Sequence, residues 1–561
     1  MDNKEDGKLC DEYEKTLRRN LKLLFEQINA GKVHIRDGLQ IKDSLLAVRK
    51  GADGEIDLST VDGLVRSMAS AIAQMNDREE LKKKISLSDI QNNYFSFIEQ
   101  QFGEYYKIML ENKGTPHDIG KVCSKDNNIV NDINKNLKEF LNLIVEYWKQ
   151  VGEIAHMHIS DMKNNIKGVF GGDLFPSHAE NIASKCGVYT DTIILPDPFL
   201  RSKHIFEYQS KKDKVYYLFK HAMNILKYKD LACANVDIPI VVIIPDFAEL
   251  QENEKEFFHS LGKQDSIIHA GKLFGRNFES FDELIDFAKT LDTVDKALTE
   301  VKDSSRILFD VEWTGDIKAQ LERALKHKVY SHFAESPGIL LASQSLGRMS
   351  VSNELLIKSR RLNATPIIDA PTSWQYLVWK LEYDANRAEL EFKSENLHIT
   401  RGLNNLAKDE MVWLGNIPPK ALIELREKGI MDDIRNILGA GINEIIEAEP
   451  LNFSASKEKI LLNIEMAFKQ HQENIKILRK KKWKFAGKDI GSCLVFGAIG
   501  ITAAVTGTPT WGLAAYAAGQ FLDATKLKDI PKSIRTLIDE NNDVKKSPVG
   551  ILFDIHKKIS N

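Results

Sequence analysis

Residues 240–246 read Ile-Val-Val-Ile-Ile-Pro-Asp, five β-branched residues closed by a proline and an acid. Three more short apolar runs bounded by breakers lie at 192–195, 338–341 and 366–368. Continuous apolar runs of this length are typical of strands that are buried on both faces of a parallel sheet. The four runs therefore predict the strands of one mostly parallel sheet.

Segments with helical periodicity separate these runs, at 215–226, 281–291 and 317–325. Alternation of strands and helices predicts an α/β domain, which we place at 168–400. Within it, the turn-prone residues 384–387 lie between two alternating stretches and predict a β-hairpin.

The regions on either side of this domain have the periodicity of helices. Residues 1–167 are predicted to form a helical domain with two buried helix faces, and Ser88 with Gln91 predicts a capping box. The two faces are Leu17, Leu21, Leu24 and Ile28, and Leu64, Met68, Ile72 and Met75. The predicted fold is thus mixed α/β and predominantly helical.

The C-terminal part divides into a helical region at 401–485 and a region at 486–561. The first contains a heptad-like series, which indicates a packed helix because it is shorter than three full heptads. The series is Leu461, Ile464, Phe468, His471, Ile475 and Leu478.

Residues 490–522 carry no charged side chain and are rich in Gly and Ala. The turn-prone stretch 506–512 divides them into two arms, which predicts a helical hairpin. Both arms are shorter than the roughly 20 residues of a bilayer-spanning helix, which favours a buried core. The basic residues at 476–488 leave a membrane-interacting hairpin open. The residues expected to contact a membrane or a partner are Lys480, Lys481, Lys482, Trp483, Lys484 and Trp511.

Net charge, cysteine spacing and the first residues of the sequence bear on the partners and the location of the protein. The formal net charge of -3 over 561 residues does not indicate nucleic acid as a partner. The five cysteines are scattered without a C-x-x-C pair, and residues 1–15 are polar, so we expect a cytoplasmic protein or one peripheral at the inner membrane. A protein partner or self-association is expected from the helical regions.

Acidic residues follow three of the predicted strands. Asp197, Asp246 and Asp369 each come directly after an apolar run or its closing proline. Because ligands bind at the carboxyl ends of strands in open α/β sheets, these acids are the candidate catalytic residues of a metal-dependent nuclease or hydrolase. The competing interpretation is that they are turn residues. His156 and His158 are two residues apart and point in different directions on a helix, so they are not expected to share a metal site with Asp161. The cofactor stays unknown from the sequence.

The run from Tyr189 to Pro198 resembles uncharacterised bacterial proteins, some of which are encoded near phage-defence genes. The stretch 413–419 and the Gly/Ala-rich hairpin are similar as well. The resemblance implies no catalytic residue. With the apolar hairpin, it leads to the interpretation of an interaction or effector protein with a role in anti-phage defence. The metal-dependent hydrolase is the alternative.

Overall fold

The computed structural model describes residues 3–33, 40–52, 54–178, 181–246, 249, 253–309, 313, 315–326, 334–384, 394–408, 410–480, 484–485, 488–489 and 546–560. The chain divides into two compact units. Residues 1–90 and 153–161 form the first, and residues 91–152 and 162–561 form the second. The four regions predicted from the sequence stay predictions.

The first unit is helical. It contains α1 (Asn3–Asn29), α2 (Gln40–Ala47), a short 3-10 helix (Leu58–Thr60) and α3 (Gly63–Lys84), and the ends of α4 (Leu87–Glu111) and α6 (Asn127–Asp161). Its core includes Leu17, Leu21 and Leu24 of α1, as the sequence predicts, with Ile28 partly buried against them. The helical character predicted for this part of the chain is confirmed.

The buried face predicted for α3 is confirmed in part, because Met68 and Ile72 pack partly buried against this core. Leu64 and Met75 are exposed, whereas Val65, Ala69 and Ala73 are buried. Asp62 caps this helix by accepting the backbone N–H of Val65. The small alanines face the core, and larger apolar residues lie at the edge of the buried stripe.

The capping box predicted from Ser88 and Gln91 is also wrong. The helix α4 begins at Leu87, and Ser86 Oγ accepts the backbone N–H of Asp89 at 3.0 Å. Gln91 is fully buried instead and bonds to a strand of the central sheet. A buried glutamine one turn into a helix has the spacing of a cap, which explains the misassignment.

The central sheet of the second unit has four parallel strands in the order β3-β2-β1-β4. They are β1 (Lys167–Phe170), β2 (Thr192–Pro196), β3 (Val241–Ile244) and β4 (Thr365–Ile367). Every residue of these strands is buried, as expected for a parallel sheet covered on both faces. The predicted mostly parallel sheet is confirmed.

Three of the four strands predicted for the central sheet are present, and one strand of this sheet was not predicted. The runs at 192–195, 240–244 and 366–368 correspond to β2, β3 and β4. The unpredicted strand is β1, which occupies the middle of the sheet between β2 and β4. Its sequence, Lys-Gly-Val-Phe, begins with a charge and a glycine and therefore lacks an apolar run.

The strand predicted at 338–341 is wrong. These residues form the first turn of α16 (Pro337–Arg361), where Ser336 Oγ accepts the backbone N–H of Ile339 at 3.2 Å and Pro337 occupies the first helical position. A short apolar run fits a strand or a buried helix equally well, and here the Ser-Pro cap decides for the helix.

The first arm of the predicted hairpin is also wrong, because Trp379 and Tyr383 lie on α17 (Pro371–Asp384) and pack against Met349. The second arm lies outside the described residues. Burial of the aromatic face outweighs both the alternating pattern and the low helix propensity of the aromatic residues.

Further helices connect and cover the strands, including those predicted around 215–226, 281–291 and 317–325. Before the sheet lie α4, α5 (Pro116–Cys123) and most of α6. Between the strands and after them lie α7 (Ile182–Cys186), α8 (Pro198–Arg201), α9 (Lys203–Tyr208), α10 (Lys211–Leu226), α11 (Lys229–Ala232), α12 (Asn253–Phe274), α13 (Phe281–Thr290), α14 (Val294–Glu300), a 3-10 helix (Ser304–Arg306), α15 (Ile317–Lys326), α16, α17 and α18 (Ser394–Leu406).

Most of the described residues from 401 onward are helical, as predicted. This part of the chain contains a 3-10 helix (Val412–Asn416), α19 (Pro419–Glu427), α20 (Met431–Gly439), α21 (Ile442–Ala448), α22 (Phe453–Lys480) and α23 (Pro548–Ser560). On α22, which carries the heptad-like series, Ile464 and His471 are buried and Phe468 contacts the Phe553 ring of α23. The seam therefore packs within the chain over these positions.

Residues 484–485 and 488–489 form β5 (Lys484–Phe485) and β6 (Lys488–Asp489), which pair antiparallel. The predicted apolar hairpin at 490–522 lies outside the described residues.

Candidate functional site

Asp197, Asp246 and Asp369 lie at the same edge of the sheet. Each follows the carboxyl end of a parallel strand, β2, β3 and β4 respectively. The sequence-based expectation that they share this edge agrees with the topology. The side chains around each acid differ, however, and these surroundings decide what the edge can do.

Asp197 is held inside the protein as the N-cap of α8. Its Oδ1 accepts the backbone N–H of Phe199 at 2.8 Å and of Leu200 at 3.2 Å. Its Oδ2 accepts the indole N–H of Trp148 at 2.7 Å. The residue is 1% exposed, and this burial raises the pKa of its carboxyl group although the hydrogen bonds lower it. Both oxygens therefore stabilise the local fold.

Asp246 is paired with two basic side chains. Lys358 of α16 donates to its Oδ1, and Arg201 of α8 places Nε 3.5 Å from its Oδ2. The Asp246 and Lys358 side chains are 5% and 4% exposed. A carboxylate buried this deeply needs a paired cation, because an isolated buried charge is strongly destabilising.

Glu354 completes this group, which we call the acid–base cluster (Arg201, Asp246, Glu354 and Lys358). Arg201 Nη2 lies 3.8 Å from Glu354 Oε1. Burial and the charge of Asp246 raise the pKa of Glu354, while Arg201 and Lys358 lower it. Burial would lower the pKa of Arg201, but the charges of Asp246 and Glu354 raise it. The cluster holds two cations and two carboxyl groups, so its charges balance.

Asp369 has more basic surroundings. Lys185 of α7, which is 2% exposed, places Nζ 3.5 Å from Asp369 Oδ1. The backbone carbonyl of Asp369 accepts from Lys408 Nζ at 3.1 Å. The neighbouring carbonyl of Ile368 accepts from Arg401 Nη1 at 3.2 Å and from the amide of Asn404 at 3.0 Å. Backbone and side chain at the end of β4 are thus both contacted by cations.

A second lysine lies near Lys185. Lys227, the residue after α10, donates from Nζ to the carbonyl of His178 at 2.5 Å. Burial, and then the nearby charge of Lys185, lower the pKa of Lys227 to about 8. Burial also lowers the pKa of His178 to about 4. We call Lys185, Lys227, Asp369 and Arg401 the switch-point cluster, after its position between the ends of β1 and β4.

The strand order explains this position. The chain passes from β1 outward to β2 and β3, then crosses to β4 on the opposite side of β1. Ligands of open α/β sheets bind where the strand order reverses in this way, at the carboxyl edge. Residues 171–178 follow β1, and residues 368–370 follow β4. These two segments border the place between β1 and β4 where the strand order reverses.

The histidine pair of α6 has structural contacts in the first unit. His156 is 5% exposed, and His158 Nε2 lies 2.9 Å from the carbonyl oxygen of Ile85. Asp161 forms ion pairs with Arg78 and Lys82. In the part of the chain that the structure describes, no group of three or more His, Cys, Asp and Glu side chains is arranged to hold a metal ion.

Four of the six predicted contact residues of the C-terminal region lie outside the described part. Lys481, Lys482, Trp483 and Trp511 lie there, while Lys480 ends α22 and Lys484 begins β5. None of the helices in the described ranges combines the length and the hydropathy needed to cross a bilayer.

Sequence reasoning missed the basic residues at the sheet edge. Glu354 and Lys358 are four residues apart on α16, a spacing that places both on one helix face, within a largely apolar stretch. Arg201 follows Asp197 by one helical turn. These spacings predict which residues share a helix face, but they do not predict that Lys358 and Arg201 pair with Asp246.

Comparisons with family models, with curated proteins and with solved structures found no match to this chain.

Proposed function

We propose that this chain is a bacterial interaction or effector protein that acts by binding, with a role in defence against phage, and that it is not a metal-dependent hydrolase. The observation that carries the proposal is the ion pairing of Asp246 with Lys358 and Arg201. A metal ion at Asp246 would have to displace two cations that already neutralise it. The resemblance to proteins encoded near phage-defence genes is the support for the defence role.

The other two candidate acids support the same interpretation. Asp197 uses both oxygens for hydrogen bonds within the fold. Asp369 lies among Lys185, Arg401 and Lys408, whose charges oppose the approach of a divalent cation. Carboxylates that bind Mg²⁺ in hydrolases instead share the ion among themselves.

Exposed apolar side chains support a role in binding. On α22, Leu462, Met466 and Ile477 are 47%, 61% and 56% exposed. Met466 and Ile477 follow Leu462 by 4 and 15 residues, which turns them about 40° and 60° from Leu462 around the helix axis. The three side chains therefore project from one helix face. Leu462 and Met466 are one turn apart, whereas Ile477 lies roughly 16 Å beyond Met466 along the helix. The adjacent pair Leu462 and Met466 is therefore the part of this face that favours an interaction site. The partner is a protein in this proposal, either a second copy or another chain, and the mass of the purified protein in solution separates the two.

The experiment that tests the proposal compares phage plating on bacteria that express the wild type or the variant Asp246→Asn/Lys358→Met. The double variant removes both charges of the pair, so that no buried charge is left without a partner. We expect equal protection from both proteins at equal expression. Loss of protection by a folded double variant, together with Mg²⁺- or Mn²⁺-dependent hydrolysis of nucleic acid by the wild type alone, would establish the hydrolase instead.

The location at the inner membrane is tested separately, because the hairpin at 490–522 is a prediction from the sequence. The proposal favours a hairpin buried in protein, since both arms are short for a bilayer. The full-length protein is then expected to stay in solution with vesicles of anionic lipid at low salt. Co-sedimentation that disappears on deletion of 484–526 would support membrane insertion.

A further inference from the structure

We draw no further inference here: the strongest candidate, the apolar pair Leu462 and Met466 on the exposed face of α22, is a helix face for which nothing in the described part of the chain shows what covers it.

Discussion

Gln91 connects a helix to the edge of the sheet, and its substitution gives the sharpest test of the fold. Its side-chain amide donates to the carbonyl of Ile243 at 2.9 Å and accepts the backbone N–H of Ile243 at 2.8 Å. Strand β3 is an edge strand, so this residue of the strand has no neighbouring strand to bond. The amide takes the place of the missing strand and is fully buried.

The substitution Gln91→Met keeps the volume of the side chain and removes both hydrogen bonds. It leaves a buried N–H and a buried C=O of Ile243 without partners, and each such group costs about 1–3 kcal/mol. The free energy of unfolding is therefore expected to fall by about 2–6 kcal/mol. Urea unfolding measures this change, and hydrogen exchange of the peptide 240–246 should become faster.

The control is Gln101→Met, because Gln101 lies on the same helix and is exposed. Its effect is expected to stay within about 0.5 kcal/mol. If Gln91→Met costs no more than this control, Gln91 does not bond the edge of β3, and the packing of α4 against the sheet is wrong.

Two further predictions concern the same unit. Burial lowers the pKa of His221 to about 3, so the unfolded chain binds a proton below about pH 6.5 that the folded chain does not bind. The free energy of unfolding of the wild type should therefore fall by about 1.4 kcal/mol more than that of His221→Gln between pH 7.5 and 5.5; parallel pH profiles would contradict this. A methyl group added at Gly120 would lie 2.8 Å from the Tyr216 carbonyl oxygen and 2.9 Å from the Tyr216 ring. Gly120→Ala should therefore lower the free energy of unfolding in urea by about 1–3 kcal/mol. A neutral effect would show that α5 and α10 are not in close contact.

The sequence predicted the apolar strands better than the polar one. Strands β2, β3 and β4 have continuous apolar runs, and their burial in a parallel sheet follows from that pattern. Strand β1 begins at Lys167, whose side chain is buried and donates to the carbonyl of Met162 at 2.9 Å. A strand that begins with a charged residue and a glycine has no apolar run, so the local pattern does not predict β1.

The candidate site shows the same limit. The pattern placed Asp246 and Asp369 at one sheet edge because acids followed predicted strands. Their partners come from distant elements: Lys358 is 112 residues from Asp246 in the chain. Lys358 also lies on the helix whose first turn was predicted to be a strand. The position of the two acids at the sheet edge was therefore predictable. The basic side chains that neutralise them, and that decide the chemistry of the edge, were not.

The central claim is that the carboxylates at the sheet edge are neutralised by the cations of the fold. A double-mutant cycle of Asp246→Asn and Lys358→Met, measured by urea unfolding, tests it most directly. Each single variant leaves a buried charge with a lost partner and should cost about 3–5 kcal/mol, whereas the double variant should recover most of this loss. Free-energy changes that add to within about 0.5 kcal/mol would show that the two residues do not interact, and would contradict the neutralisation of Asp246 by Lys358.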